Sequence, residues 1–197
     1  MNQSRVVIDQ VYPHINHGDF FIKRVVNEIV NIDAHVLVDG HDVIAASVLY
    51  KHEEELNWKE VRMKHFNNDE WKASFIVEKQ GFYTYKVEGW VDDALNWQHG
   101  IERKIDDQQI VTSELLEGLE ILKSLTKVAS TVDKQYLDQC ITIFSDENQY
   151  HTAIEIATSQ ELHDIFIKYP QKFLANSSKD YQVYVDRKKA QFSTWYE

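Results

Sequence analysis

Residues 71–91 read WKASFIVEKQGFYTYKVEGWV, and this stretch decides the fold class. In its first half, every second residue is apolar and falls on one side of an extended chain: Trp71, Ala73, Phe75 and Val77. After a turn signal, Lys-Gln-Gly at 79–81, the alternation resumes at Tyr83. Period-two alternation is the signature of strands with one buried face. The stretch therefore predicts a β-hairpin.

Similar alternating segments occur between the N-terminus and this hairpin. They cover residues 5–11, 20–26, 28–38, 43–50 and 58–66. Seven strand-like segments at short spacing predict an immunoglobulin-like or fibronectin-like β-sandwich. The disulfide of antibody domains is excluded, because Cys140 is the single cysteine of the chain.

From residue 107 the apolar period changes to about 3.6, which is typical of helices. The stripes are Leu115, Leu119, Leu122 and Leu125; then Tyr136, Leu137, Cys140, Ile141 and Phe144; then Tyr150, Ala153, Ile154 and Ala157. A fourth helix is expected to start at Thr158, which has capping-box spacing to Glu161, and to end before Pro170. Four helices of this length predict a small bundle, because they bury their stripes by packing together.

The last alternating stretch, YQVYV at residues 181–185, predicts a strand that returns to the sandwich. The expected architecture is therefore mixed β and α, a β-sandwich with an inserted small helical bundle. The predicted boundaries are residues 1–106 for the sandwich, 107–178 for the insertion, and 179–197 for the return strand and a linking segment after it.

Charge and cysteine content exclude several classes of function. The chain of 197 residues has 21 Lys and Arg against 32 Asp and Glu, a net charge of −11. Nucleic acid or an anionic membrane would need a positive field, so neither is an expected partner. A single cysteine and the lack of a signal peptide favour the cytoplasm.

The histidines and the cysteine give no catalytic or metal-binding pattern. His14 and His17, with Asp19 nearby, have a spacing that a metal site could use, but they fall in an expected loop without a further ligand cluster. His41 is expected in a local turn. Cys140 falls on an apolar helical stripe and is expected to be a buried structural thiol. We therefore predict no metal and no cofactor site.

The carboxylates also form no evident catalytic pair. Asp92 and Asp93 are adjacent, so on a strand they would point to opposite faces. The run of three glutamates at residues 53–55 is expected to be a solvated loop tip. Phosphate-binding loops need closely spaced glycines, and the six glycines here are scattered. No catalytic residue is predicted.

Four tryptophans in the first half allow two interpretations. Trp58 and Trp71 alternate with strand positions and are expected in the core. Trp90 and Trp97 could either be buried or offer flat platforms to sugar rings.

Several blocks of sequence, taken in order, resemble a known family. They are FIKR at 21–24, DGHD at 39–42, GFYTYKVEGWVD at 81–92, TSELLEG at 112–118, VDR at 185–187 and FSTWYE at 192–197. The chain resembles the N-terminal region of the α-1,4-glucan:maltose-1-phosphate maltosyltransferases of the α-amylase superfamily.

The resemblance implies a role in glycogen and other α-glucan synthesis. Enzymes of this family transfer maltosyl units from maltose 1-phosphate to α-1,4-glucan with retention, through a covalent intermediate on an aspartate. That chemistry takes place in a (β/α)8 barrel that follows the N-terminal region, while the N-terminal region, a β-sandwich with a helical insertion, contributes to the homodimer interface. None of the barrel's catalytic motifs is present in this sequence.

The leading expectation is a non-catalytic accessory and dimerisation domain of such an enzyme, with α-glucan as a possible ligand. The aromatic Trp195-Tyr196-Glu197 end is then expected to lead into the barrel, which would make this sequence part of a longer glycosyltransferase. Two other interpretations stay open. The chain could be an independent glycan-binding module that uses Trp90 or Trp97, or a general fibronectin-like interaction domain.

Overall fold

The computed structural model describes residues 5–192, so the Trp195-Tyr196-Glu197 end lies outside the described residues. Two compact units are present, one made of residues 5–91 and 173–192 and the other of residues 92–172. At the level of mixed sheet and helix, the predicted fold class is confirmed. No helix within residues 5–192 combines the length and the apolar composition that a membrane span requires.

The first unit contains the strands of the described chain. They are β1 (Val6–Tyr12), β2 (Ile22–Val25), β3 (Glu28–Val38), β4 (Ile44–His52), β5 (Lys59–Arg62), β6 (Lys64–Asn67), β7 (Glu70–Val77), β8 (Gly81–Val91), β9 (Asn176–Ser177) and β10 (Tyr181–Asp186). One sheet has the order β1-β3-β7-β6, and the other has the order β2-β10-β8-β4-β5 with β9 paired to β8. Strand β10 is parallel to β2 and antiparallel to β8.

Both sheets contribute their inward side chains to one hydrophobic core. Val30 and Ile32 of β3, Val48 of β4 and Val87 of β8 are fully buried there. Tyr85 is also buried, and its hydroxyl donates a hydrogen bond to the carbonyl of Pro13. Burial raises the pKa of Tyr85, because the phenolate would lose its hydration. The alternation seen in the sequence thus marks which side of each strand faces this core.

The predicted hairpin at residues 71–91 is wrong in its pairing, although both strands are present. Strand β7 pairs with β3 and β6, whereas β8 pairs with β10, β4 and β9, so the turn between them passes from one sheet to the other. Tyr83 stabilises this crossover, because its hydroxyl accepts hydrogen bonds from the backbone N–H groups of Glu78 and Lys79 at 3.1 and 3.0 Å. Gly81 has a φ of +116°, a conformation that favours glycine.

The strand predicted at residues 58–66 also divides between the two sheets. Strand β5 pairs with β4, and β6 pairs with β7. Met63 lies between them as a buried residue whose N–H donates to the carbonyl of Ala46 at 2.8 Å.

The second unit consists of five helices rather than the four predicted. They are α1 (Asp93–Asp106), α2 (Thr112–Leu125), α3 (Thr131–Phe144), α4 (Tyr150–Ala157) and α5 (Gln160–Lys168). The unpredicted helix, α1, occupies residues assigned above to the sandwich, so the first boundary lies at residue 91 and not at 106. Its buried face, which includes Leu95, Trp97 and Ile101, has helical spacing.

Side chains at the helix N-termini explain two further differences from the sequence analysis. Asp92 is the N-cap of α1 and accepts a hydrogen bond from the N–H of Leu95 at 3.3 Å, so Asp92 and Asp93 do not sit on a strand. Ser159 caps α5 by accepting from the N–H of Leu162 at 3.2 Å. Thr158, the predicted cap, instead terminates α4.

Candidate functional site

The histidines near the N-terminus line a small pocket of about 380 Å3 without forming a metal site. The ring of His14 stacks on Tyr12 with centroids 4.9 Å apart and lies 5.7 Å from the ring of His17. Asp19 accepts a hydrogen bond from the side-chain amide of Asn16 at 3.0 Å. Residues 5–192 contain no group of three or more His, Cys, Asp or Glu side chains placed to hold a metal ion.

Trp90 and Trp97 do not offer platforms to a sugar. Trp90 is fully buried, and the guanidinium of Arg62 lies 5.3 Å from the centroid of its indole. Trp97 is 8% exposed, and its Nε1–H donates to the carbonyl of Glu114 at 2.6 Å. The hypothesis that either ring stacks on a glycan is therefore wrong for the chain in this fold.

The other two tryptophans differ from each other. Trp71 is buried in the core, as predicted. Trp58 is only half-buried, and two ammonium groups lie near the centroid of its ring, those of Lys51 at 4.9 Å and Lys86 at 5.0 Å. Lysine ammonium groups at this distance are attracted to the indole face, so Trp58 is a surface residue and its assignment to the core is wrong.

The glutamates at residues 53–55 lie in the loop after β4, where Glu53 and Glu54 are exposed to solvent as predicted, and Glu53 and Glu55 also have structural contacts. Glu53 Oε1 accepts a hydrogen bond from the N–H of Phe82 at 3.0 Å. Glu55 pairs with Lys59 at 2.9 Å, and the hydrogen bond from this ammonium lowers the pKa of the carboxyl group. Both contacts fix the loop after β4 against neighbouring groups.

Cys140 and Asp42 also have structural surroundings. Cys140 is buried, as predicted, and burial raises the pKa of its thiol because a thiolate would be poorly solvated there. This is the opposite of the perturbation that a nucleophilic cysteine needs. Asp42, in the turn after His41, forms an ion pair with Arg5.

The first unit carries a cluster of exposed and half-buried aromatic rings that the sequence analysis did not identify. We call Phe21, Phe82 and Tyr184 the aromatic patch. Phe21 meets Phe82 edge to face with centroids 5.4 Å apart, and Phe82 lies 5.1 Å from Tyr184. Phe21 is 38% exposed.

The aromatic patch lies where β2 forms the edge of its sheet. Phe82 and Tyr184 are register partners in the β8–β10 ladder, so their side chains share one face. Tyr184 occupies the outward position between the buried Val183 and Val185. Aromatic residues at outward strand positions were the signal available in the sequence. Clustered rings that remain open to solvent are typical of an interaction surface.

The helical unit exposes apolar side chains as well. These are Ile110, Leu116, Val128 and Val132, each more than half exposed. Large apolar side chains that a domain leaves in water are candidates for burial against another surface.

A sequence model described as "Alpha-1,4-glucan:maltose-1-phosphate maltosyltransferase, domain N/S" matches residues 4–187 of this chain. The chain belongs to this family. The resemblance inferred from the short blocks of sequence is thereby confirmed, and the match extends through the helical unit. The chain corresponds to the N/S domain of the maltosyltransferases.

The maltosyltransferases that match this chain are much longer than the chain. The alpha-1,4-glucan:maltose-1-phosphate maltosyltransferase of Chlorobaculum tepidum is 38% identical over 196 residues, which are 99% of this chain and 29% of that protein. The proteins of the same name from Methylacidiphilum infernorum and Salinibacter ruber are 32% and 33% identical, and the chain again covers 29% of each. The chain therefore spans less than a third of the length of these relatives.

Proposed function

We propose that this chain is the non-catalytic accessory and dimerisation domain of an alpha-1,4-glucan:maltose-1-phosphate maltosyltransferase. The observation that carries the proposal is the family match over residues 4–187, in a chain that spans 29% of the length of the first relatives. The transfer of maltosyl units from maltose 1-phosphate to α-glucan would then take place in another part of the enzyme. The low cysteine content supports a reducing, cytoplasmic location.

The surroundings of the acidic residues support a non-catalytic role. A retaining glycosyl transfer uses two carboxyl groups that face each other across the sugar. Three carboxylates have structural partners in this fold, because Asp92 caps a helix, Glu53 accepts a backbone hydrogen bond and Asp42 pairs with Arg5. These contacts stabilise the fold, which supports a structural role for the three groups.

An immunoglobulin-like sandwich is the fold that we propose for the first unit. Two sheets around one core, mostly antiparallel and with strands that switch from sheet to sheet, support it. Residues 92–172 would be an insertion between β8 and the last strands, because residues 173–192 belong to the same unit as residues 5–91.

The catalytic part of the proposal is tested by incubating the purified chain with maltose 1-phosphate and glycogen. We expect no release of phosphate above the rate without protein, whereas a full-length maltosyltransferase in the same assay gives turnover. Phosphate release that scales with the concentration of the chain would show that the reacting groups lie within these residues.

Dimerisation is tested by sedimentation velocity over a wide range of chain concentrations. We propose the aromatic patch as the contact between two copies, so Phe21→Asp should raise the dissociation constant of the dimer by at least about tenfold, as expected for an apolar residue central to an interface. The matched control is Leu56→Asp, since Leu56 is 93% exposed but lies outside the patch. A chain that sediments as a monomer throughout, or equal effects of both substitutions, would contradict this assignment.

The aromatic patch also favours a second candidate function, binding of α-glucan. Sugar rings stack on aromatic faces, and this patch presents three rings at one sheet edge. Calorimetric titration with maltoheptaose separates the two functions. Saturable binding that Tyr184→Ala abolishes supports a glycan-binding module, and no heat of binding supports the dimerisation domain.

A further inference from the structure

A groove on the first unit brings two lysine side chains together on a strongly acidic chain. Its volume is about 730 Å3, and it is lined by strands β3, β5, β6 and β7. Lys64 and Lys72 line it together with the carboxylate of Asp33. The guanidinium of Arg62, another lining residue, lies over the ring of Trp90 at 5.3 Å from its centroid. Two neighbouring ammonium groups can attract an anion, although the chain carries a net charge of −11.

Two of these lysines oppose each other in the sheet. Lys64 of β6 is the register partner of Lys72 of β7, so both side chains extend from the same face. The ammonium of Lys72 lies 3.5 Å from the carboxylate of Asp33 and 4.0 Å from that of Glu70, whereas Lys64 has no ion pair within residues 5–192. Like charges placed directly opposite destabilise a sheet. An anion between the two ammonium groups would remove this repulsion.

Neutral hydrogen-bonding groups lie beside the lysine pair. Asn31 of β3 and Ser74 of β7 are register partners, two residues along the same strands from the Asp33 and Lys72 pair. Both side chains line the groove, and neither has a hydrogen-bond partner within residues 5–192. A serine hydroxyl and an asparagine amide donate hydrogen bonds to phosphate oxygens, and lysine adds the charge-assisted ones.

An exposed ring completes the groove. Phe66 is 65% exposed, and the ammonium of Lys72 lies 3.8 Å from the centroid of its ring. The phenyl group thus lies beside the cationic centre and remains open to solvent. A ligand with an anionic group on the lysines could place its own ring on Phe66.

We propose that this groove binds a small phosphate monoester carried on a ring, such as a sugar phosphate or a nucleotide. The phosphate lies between Lys64 and Lys72 with Ser74 and Asn31 as donors, and the ring rests on Phe66. The aromatic patch, which we propose as a dimer contact or a glycan surface, shares none of these residues, so the groove can bind ligand whether or not that proposal holds.

Isothermal titration calorimetry with the whole chain tests the site. The probes are inorganic phosphate, maltose 1-phosphate, adenosine 5′-monophosphate and, as the uncharged comparison, maltose, all at one ionic strength maintained with chloride. We expect saturable binding of phosphate, tighter binding of at least one ring phosphate, and no binding of maltose. The ring phosphate that binds more tightly identifies whether the natural ligand is a sugar phosphate or a nucleotide.

Substitutions at three positions assign the binding to the groove. Lys64→Gln and Lys72→Gln should each weaken phosphate binding by about tenfold, the loss expected for one charge-assisted hydrogen bond. Phe66→Ala should leave inorganic phosphate unaffected and remove the advantage of the ring phosphate. Lys51→Gln is the matched control, because Lys51 also lies over an aromatic ring, that of Trp58, but outside the groove.

A second measurement on Lys64→Gln distinguishes a ligand site from a structural role. Without ligand, this variant should melt at a temperature equal to or higher than that of the parent chain, because the like-charge pair has been relieved. The proposal is overturned by the absence of saturable phosphate binding, by unchanged binding in both lysine variants, by equal losses in Lys51→Gln, or by a ligand-free Lys64→Gln that melts lower. Equal affinity for phosphate and both ring phosphates overturns the role given to Phe66.

Discussion

Gly118 and Gly100 form a matched pair of helical glycines that tests the packing of the helical unit. A methyl group built at Gly118 would lie 2.2 Å from Cζ2 of Trp97 and 2.7 Å from its Cε2. At Gly100, in α1, the same methyl group meets nothing within 4 Å. Replacement by alanine should therefore have opposite effects on stability at the two positions.

The size of the effect at Gly118 follows from how Trp97 is held. Ordinary contact begins at 3.4 Å, so the indole would have to move by more than 1 Å. It is fixed by the hydrogen bond to Glu114 at 2.6 Å and by contact with Phe144 and Phe166. Overpacking costs about 1–3 kcal/mol, a lost hydrogen bond adds about 1 kcal/mol, and the better helix propensity of alanine returns about 1 kcal/mol. Gly118→Ala should destabilise the chain by about 1–3 kcal/mol.

Urea unfolding followed by far-ultraviolet circular dichroism measures both variants. Gly100→Ala should stabilise the chain by about 0.5–1 kcal/mol, the ordinary gain for alanine in a helix. In a Trp97→Leu background, the cost of Gly118→Ala should fall, because the ring that causes the clash is gone. A Gly118→Ala chain that is as stable as the parent would refute the reasoning. The same holds if Gly118→Ala lowers the free energy of unfolding as much in the Trp97→Leu background as in the parent chain.

Three further perturbations have outcomes that the structure determines. Hydrogen bonds from Lys168 and Tyr169 lower the pKa of Asp133 from 3.8 to about 2. A pKa lowered by folding gives stability that is complete above pH 3.8 and lost as the pH falls towards 2. Asp133→Asn should therefore reduce the dependence of the melting temperature on pH across that range. Cys140 should resist alkylation by iodoacetamide in the folded chain and react in urea, as mass spectrometry would report, because burial raises the pKa of its thiol; rapid native labelling would contradict this. Gly81→Ala should lower the melting temperature, because φ is +116° and the new methyl group would lie 2.2 Å from Oε1 of Glu53; an unchanged melting temperature would mean that the turn accommodates it.

Strand positions were predictable because alternation reports which face of a strand is buried. Phe75 and Tyr85, for example, both point into the core as their places in the pattern require. The partner of each strand was not predictable by the same means. Strands β7 and β8 are joined by a short turn, as in a hairpin, yet they lie in different sheets, and period two is the same in either case.

The boundary between the first unit and the helical unit was predicted too late in the chain, because the residues of α1 resemble those of the sandwich in composition. Trp90 and Trp97 belong to a run rich in tryptophan and glycine, like the strands before it. The apolar residues with helical spacing, Leu95, Trp97 and Ile101, are few, and they follow directly after a long strand. The groove lined by β3, β5, β6 and β7 could not be predicted from the sequence for another reason. Its charged residues, Asp33, Lys64 and Lys72, come from three strands, and no local pattern reports which strands become neighbours.

The position of β10 determines the order in which the first unit can be completed as the chain is synthesised. Ile22 pairs with Val183, which is translated 161 residues later (183 − 22). Among residues 5–192, β2 has no sheet partner other than β10. A nascent chain therefore emerges from the ribosome with β2 unpaired and one edge of β8 open, and the helical unit, whose contacts are local, can fold before either is covered. Until residues 181–186 emerge, these edges stay open to pairing with other chains.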